Sequence, residues 1–498
     1  MKRYFFIACP LFFFITLFLY GSMLNNFFIS DDFLWMENAW KIDNDLLRML
    51  NTQSVGHAFF RPIVQLSFWI CYKLFGLDST GFYWFNILNH SANIVLFGAI
   101  IYVLYRKLWM AVSGGLIFLI NGAYAESVLW LSGRTELIAG FFALATVLNI
   151  LLFYQKDKTR FFFISILTCI LTLGSKETYI TLPFVAALIH WVSLKKKYKS
   201  FYANHWFVYV SPYFILLGLY IVLHGLTFQF SGAQVFNLQS YDFLKFFMNT
   251  YKAVETAFMF QFSEPVKPNI WGSMIIFFVA ELLVIFVIGK KFEYIRTDTA
   301  IFNLMIFLIS PYTMFVIINS WRMYIPAMLL ALFLVNTVSQ SFSLSSGIYF
   351  KTIITATWII LFTGAFISGR SGINEMEMQY HASTNKLRQY FNTIIEKYPT
   401  LPKNSRIYTN AFYSTNYLEK YYGNDVHVNT FSRTGSELAN PDSTELGENA
   451  VETPVKATLV LDSNKDILLR VKELGQEMVH IFVLRKGKLE EISAEYLR

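Results

Sequence analysis

Charge is what this sequence has least of. Asp, Glu, Lys and Arg supply 15% of its 498 residues, where a soluble domain carries about 25%. That scarcity excludes a water-soluble globule of this length. Cysteine is nearly missing as well: Cys9, Cys71 and Cys169 are the full set, and each lies inside an apolar run. They share no metal-ligand spacing, so they read as packing residues and say little about redox compartment. Histidine and aspartate form no cluster that calls for a metal, and no cofactor is expected, with a divalent ion left open. No small-residue cleavage site follows the first apolar run, residues 4–24. Its charged start, Lys2 and Arg3, is like that of a signal peptide, but the run is too long for one and reads as a retained membrane helix.

What is present is apolar. Hydrophobic residues make up 55% of the chain and the mean hydropathy is +0.44. Crossing a bilayer takes roughly 20 residues of helix, and about eleven runs are candidates. They cover residues 4–24, 82–105, 108–122, 137–154, 161–174, 179–194, 206–228, 270–289, 300–318, 325–338 and 352–368. Residues 63–75 are apolar but short and interrupted by Gln65 and Lys73, which suits an interfacial or re-entrant helix. The net charge of +8 does not point to nucleic acid, because the cations sit in short loops between runs. Lys2 and Arg3, Arg106 and Lys107, Lys156 to Arg160, Lys195 to Lys199, Lys290 to Arg296 and Lys351 all fall on one side if the helices alternate. The positive-inside rule makes that side cytoplasmic, with the N-terminus.

Composition changes abruptly near residue 369. Residues 1–368 are expected to form the membrane domain and 369–498 a small α/β domain outside the cytoplasm. Helical character is expected over 373–398 and strands over 406–409, 426–430 and 457–461. Residues 479–484 and 488–492 are expected to pair across Arg485, Lys486 and Gly487. Residues 432–453, rich in Ser, Asn, Pro, Gly and Glu, suit a mobile loop.

The outward loops gather the unusual polar groups. The first carries Asp31, Asp32, Glu37, His57 and Arg61; later turns carry Glu126, Arg134 and Glu136, then Lys176 and Glu177, then Arg322 and Tyr324. Such groups at a membrane face usually line a water-filled cleft. The mixture suits transfer of a sugar from a lipid phosphate. Arg and Lys hold the phosphate. The leaving phosphate is already a stable anion, so one general base on the acceptor hydroxyl suffices, unlike ordinary glycoside hydrolysis. Fixed cations where negative charge develops supply the larger catalytic effect.

Several stretches carry a resemblance when taken in order. They are Asp31-Asp32; Phe60-Arg61-Pro62-Ile63-Val64-Gln65-Leu66-Ser67-Phe68; Leu74-Phe75-Gly76-Leu77; and Asn86-Ile87-Leu88-Asn89-His90-Ser91-Ala92-Asn93. Ala125 to Glu136, Ser175-Lys176-Glu177-Thr178 and Arg322-Met323-Tyr324-Ile325-Pro326 continue it. Together they resemble the GT-C membrane glycosyltransferases, in the branch holding the tetratricopeptide transmembrane O-mannosyltransferases and their bacterial relatives. The similarity covers roughly the first two thirds of the chain. The resemblance implies a polyprenyl- or dolichyl-phosphate sugar as donor, transfer outside the cytoplasm, and an acid of the first loop as base. Asp31 falls where related Asp-Glu motifs place theirs. Two departures stand out: no tetratricopeptide repeat follows, and the Asp usual near position 136 is Glu136.

The expectation is an inverting hexosyltransferase of a bacterial inner membrane, with the C-terminal domain periplasmic. Its acceptor would be a surface glycan such as lipid-linked O-antigen. A protein O-glycosyltransferase is the alternative, and a lipid-glycan flippase the alternative of another class. Arg61, Arg134, Lys176, Arg322 and Tyr324 are candidates for the donor phosphate; Glu126, Glu136, His57 and Glu177 for sugar or acceptor. Each has a plainer reading. Asp31 and Asp32 are the catalytic candidates, with Asp31 as the base; otherwise they are a solvated helix flank, or Asp32 orients loop backbone or binds acceptor. Arg61, Arg134 and Lys176 are otherwise interfacial anchors. Glu126 otherwise pairs with Arg134, and His57 is otherwise structural. His90 and Asn89 read as helix-packing hydrogen-bonders, and Glu281 has no assigned role.

Overall fold

The computed structural model describes residues 2–42, 45, 47, 49, 60–198, 203–228, 256, 320–344, 348–409, 416–423, 426–430, 479–485 and 488–491. In chain order the helices are α1 (Lys2–Tyr20), α2 (Asp32–Ile42), α3 (Pro62–Phe75), α4 (Ser79–Tyr105), α5 (Leu108–Leu119), α6 (Ala125–Leu129) and α7 (Arg134–Lys156). They continue as α8 (Thr159–Leu173), α9 (Leu182–Tyr198), α10 (Ala203–Phe228), α11 (Tyr324–Leu344), α12 (Ile348–Lys397) and α13 (Asn416–Tyr422). The strands are β1 (Arg406–Thr409), β2 (His427–Thr430), β3 (Val479–Arg485) and β4 (Lys488–Glu491). Two compact units result: Met1–Asn25 with Ile42–Tyr380, and Asn26–Lys41 with His381–Arg498.

Among the described residues seven helices are long and apolar enough to cross a membrane, or eight if the α5–α6 pair, bent by 49°, is one span. The chain is a multi-pass membrane protein. About eleven spans were expected, and the shortfall has two sources. The run at 161–174 forms α8, 15 residues long, or about 22 Å against a hydrocarbon core of about 30 Å. The runs at 270–289 and 300–318, and Glu281 with them, lie outside the described residues. Residues 63–75 form α3, short as expected at 14 residues. Phe163, Phe207, Ile215 and Ile360 stand exposed on their helices, as side chains facing lipid do.

Local chemistry sets the helix ends of the first unit. Pro62 opens α3 where no N–H is needed, and Gly76 closes it at φ +60° while its N–H reaches the Tyr72 carbonyl. Asp78 caps α4 by accepting from the Thr80 N–H. Arg106 and Asp157 end α4 and α7 in the left-handed region. α4 is the central helix, with α1, α5 and α7 packed on it. The Tyr4 hydroxyl donates to the Val95 carbonyl at 2.8 Å. That approach needs Gly98, because a Cβ there would lie 2.1 Å from the Tyr4 oxygen. Asn86, His90 and Asn93 form a fully buried polar stripe on α4 at helical spacing.

The second unit carries a four-stranded sheet in the order β2-β1-β3-β4. β1 is parallel to β2 and β3, and β3 is antiparallel to β4. The strands read from the sequence near 406, 426, 479 and 488 are these four; residues 432–453 and 457–461 lie outside the described residues. The composition change at 369 falls inside α12, which runs unbroken from Ile348 to Lys397. The segment Asn26–Lys41 groups with the C-terminal residues and not with the helices on either side of it.

Candidate functional site

In the first unit, four charged side chains meet where α3 and α7 begin and α8 has just ended. The Ile63 N–H donates to the Gly174 carbonyl at 3.1 Å, tying the first turn of α3 to the turn after α8. Arg61, directly before α3, then reaches Glu177. Its Nε donates to Oε2 at 2.9 Å and its Nη2 to Oε1 at 2.7 Å, a two-pronged pair. Both side chains are largely buried, 13% and 17% exposed.

Beside this pair stands a second. Lys176 Nζ lies 2.6 Å from Glu136 Oε1 and donates to Thr135 Oγ1 at 3.3 Å. Glu136 sits in the first turn of α7, where the helix dipole favours an acid. Among the described residues neither Glu136 oxygen receives an aligned hydrogen bond, although both are buried. Burial pushes the Lys176 ammonium below its ordinary range; the Glu136 charge opposes this and Arg61 adds to it. Two cations and two acids, from three stretches of the chain, thus form one largely buried cluster of charge.

The other candidates lie elsewhere in the unit. Arg134 is fully buried. Its Nε donates to Asn86 Oδ1 at 3.1 Å, its Nη2 to the Phe82 carbonyl at 2.8 Å, and its Nη1 to Cys71 Sγ at 3.5 Å. The guanidinium also stacks over Phe68 at 4.2 Å. All three nitrogens are therefore engaged by α3 and α4. Tyr324 is fully buried; its hydroxyl meets His90 Nδ1 at 2.7 Å and accepts from Asn93 Nδ2 at 2.9 Å. Glu126 accepts from the Tyr380 hydroxyl at 2.8 Å, and Arg322 is half-buried in the 3-10 turn Ser320–Met323. His57 lies outside the described residues.

Asp31 and Asp32 belong to the second unit and differ sharply. Asp32 is fully buried, and its Oδ2 accepts from the Ile29 N–H at 3.0 Å, closing the turn that starts α2. Asp31 is half-buried, with the Ser30 hydroxyl 3.5 Å from Oδ1. Ser30 itself has φ +52°, a conformation that L residues hold only under constraint. Glu37 pairs with Lys41 one turn along α2.

Sequence reasoning missed Gln65 and Thr135. Gln65 is buried with both amide atoms unpartnered among the described residues. The available signal was its place four residues after Arg61, on the same face of α3. Thr135 has none beyond standing next to Glu136. Among the described residues no three His, Cys, Asp or Glu side chains group as metal ligands do.

Known proteins give a partial match. A protein O-mannosyl-transferase of Caenorhabditis elegans is 24% identical over 140 residues, 28% of this chain and 20% of that protein. The protein O-mannosyl-transferase tmtc2 of Xenopus laevis is 31% identical over 131 residues, 26% of this chain and 15% of that protein. Its Homo sapiens counterpart is 29% identical over 117 residues, 24% of this chain and 14% of that protein. The chain thus spans a fifth or less of the length of these relatives. No protein-family model matches it.

Proposed function

We propose that this chain is an inverting membrane glycosyltransferase that moves a sugar from a polyprenyl-phosphate carrier to a hydroxyl of an extracytoplasmic acceptor. The observation that carries the proposal is the buried double pair Arg61–Glu177 and Lys176–Glu136, in a multi-helix membrane protein similar in part to protein O-mannosyl-transferases. Buried charge of this kind in a membrane protein is costly and marks a functional site.

In the proposed reaction the acceptor oxygen attacks the anomeric carbon from the face opposite the phosphate. The bond from that carbon to the phosphate oxygen breaks, and the carrier leaves as its phosphate anion. Asp31 takes the acceptor's proton; its half-exposed carboxylate suits that role better than the buried, turn-closing Asp32. Arg61 and Lys176 supply positive charge for the departing phosphate. Glu136, through Oε2, and Gln65 offer hydrogen-bonding capacity to sugar hydroxyls. Arg134 and Tyr324, engaged on all sides, support the helices that carry these groups.

The proposed acceptor is a surface glycan such as lipid-linked O-antigen, and the proposed setting is a bacterial inner membrane with N-terminus inside and C-terminal residues outside. The names of the relatives favour a second reading, a protein hydroxyl. Membranes holding the full chain, supplied with a panel of polyprenyl-phosphate hexoses, test the reaction. Release of polyprenyl phosphate is expected from the wild type and a loss of at least about 10²-fold from Asp31→Asn. Undiminished release by that variant would exclude Asp31 as the base. Comparing surface glycans and glycoproteins with and without the chain identifies the acceptor.

A further inference from the structure

The second unit holds a relationship that the proposed chemistry does not itself require. The turn bearing Asp31 is flanked by three phenylalanines, Phe27 and Phe28 before it and Phe33 after it. All three are buried, and all pack on residues more than 350 positions away. The Phe27 ring lies 5.6 Å from that of Phe391 and 5.2 Å from that of Tyr417. The Phe33 ring lies 5.7 Å and 6.2 Å from the same two, and Phe28 is 6.3 Å from Tyr417. Phe391 and Tyr417 are themselves 4.8 Å apart and buried. Polar contacts frame the cluster: Asn26 Oδ1 meets His381 Nδ1 at 2.9 Å, and Arg388 lies over Phe27 at 5.6 Å. Farther along α2, Lys420 lies over Trp40 at 5.9 Å.

Local hydrogen bonds also close the turn: the Asp32 N–H donates to the Ile29 carbonyl at 3.1 Å and the Phe33 N–H to the Ser30 carbonyl at 3.3 Å. The Asp32 carboxylate adds a further bond from the Ile29 N–H, and Ser30 holds a left-handed backbone, uncommon for a residue with a Cβ. What distant residues add is a seat: rings from both sides of the turn rest on one aromatic pair. We infer that Phe391, on α12, and Tyr417, on α13, are positioning residues for Asp31, and that the C-terminal unit exists in part to hold this carboxylate in place. The inference rests on the reading of Asp31 as the base. Neither aromatic touches substrate; both act by fixing where the carboxylate points, a displacement of about 1 Å being enough to cost about 10²-fold in rate.

The test uses the full chain and two readouts. In the first, Asp31→Cys in a Cys9→Ser background is labelled with a charged maleimide in detergent-permeabilised membranes. Phe391→Ala or Tyr417→Ala is expected to raise the labelling rate several-fold, Phe391→Leu to leave it near the starting value, and Ile150→Ala, a core truncation in the first unit, to leave it unchanged. Equal labelling in all of these overturns the inference. In the second, turnover on polyprenyl-phosphate mannose is expected to fall in kcat by about 10²-fold in Phe391→Ala, with KM for the donor held and kcat recovered in Phe391→Leu. Unchanged kcat in Phe391→Ala, alongside a dead Asp31→Asn, also overturns it. If Asp31→Asn keeps its turnover, the transferase base has been misassigned, and the labelling alone decides whether the aromatic pair holds the turn.

Discussion

Arg61 and Glu177, separated by 116 positions, meet in a two-pronged ion pair with donor–acceptor distances of 2.9 and 2.7 Å. The pair pins the start of α3 to the turn after α8. It also places Lys176, the residue before Glu177, against Glu136 at the start of α7. Three separate stretches of chain are joined by two ion pairs.

Shortening or removing Arg61 separates charge from shape. Arg61→Lys keeps the charge but loses the fork, and is expected to destabilise the solubilised protein by about 2 kcal/mol. Arg61→Ala leaves Glu177 buried without its partner, at a cost of about 3–5 kcal/mol. Adding Glu177→Gln to Arg61→Ala should recover part of that loss. Thermal melts of the wild type, Arg61→Ala, Glu177→Gln and the double variant in detergent give the coupling directly, and additive losses would show that the pair is not coupled.

Lys176→Met strands Glu136 in the same way and is expected to cost about 3–5 kcal/mol, with Lys176→Met/Glu136→Gln regaining stability but not turnover. A pH signature accompanies it. Burial lowers the Lys176 ammonium below its ordinary value, so between the folded and ordinary values the unfolded chain binds more protons. Stability should rise with pH across that window and be flat for this group on either side. Melts of wild type and the double variant at increasing pH should differ by this slope.

Arg134 is predicted to act on stability and leave donor binding alone. Three nitrogens are engaged by Asn86, Cys71 and Phe82, and the plane lies on Phe68. Arg134→Met should lower the thermal midpoint strongly, by the equivalent of about 3 kcal/mol, while the folded fraction keeps its KM for polyprenyl-phosphate sugar. A raised KM without loss of stability would return Arg134 to the phosphate site.

Tyr398 links the end of α12 to the sheet. Its hydroxyl lies 3.1 Å from both Glu491 oxygens, and burial with the Glu491 charge pushes its pKa to about 12. The folded state therefore favours the protonated phenol, and its contribution is whole below about pH 10 and lost as pH rises through the folded value. Alkaline titration followed by circular dichroism should show this loss in the wild type and not in Tyr398→Phe.

The reading of the chain as helices needed no tertiary information wherever the apolar runs were long. The runs at 4–24, 82–105, 137–154, 206–228 and 325–338 appear as α1, α4, α7, α10 and α11, because about 20 apolar residues have no other low-energy arrangement in a bilayer. The run at 161–174 forms a helix as expected, but α8 has 15 residues and is shorter than the helices long enough to cross by length alone, because the chain turns at Gly174 and Ser175. Glu126 meets the Tyr380 hydroxyl, while Arg134, its partner in the plainer reading, turns to α3 and α4. The segment 26–41 follows α1 in sequence, and its phenylalanines pack on Phe391 and Tyr417.

Helical character, membrane residence and the supply of acids and cations in the connecting turns all follow from composition and the spacing of apolar residues. Those are local properties, set within one helix length. Which acid meets which cation, which arginine is spent on packing, and which part of the chain steadies the Asp31 turn depend on contacts between residues tens to hundreds of positions apart. Periodicity along a chain says which face of a helix is buried, but not what is buried against it.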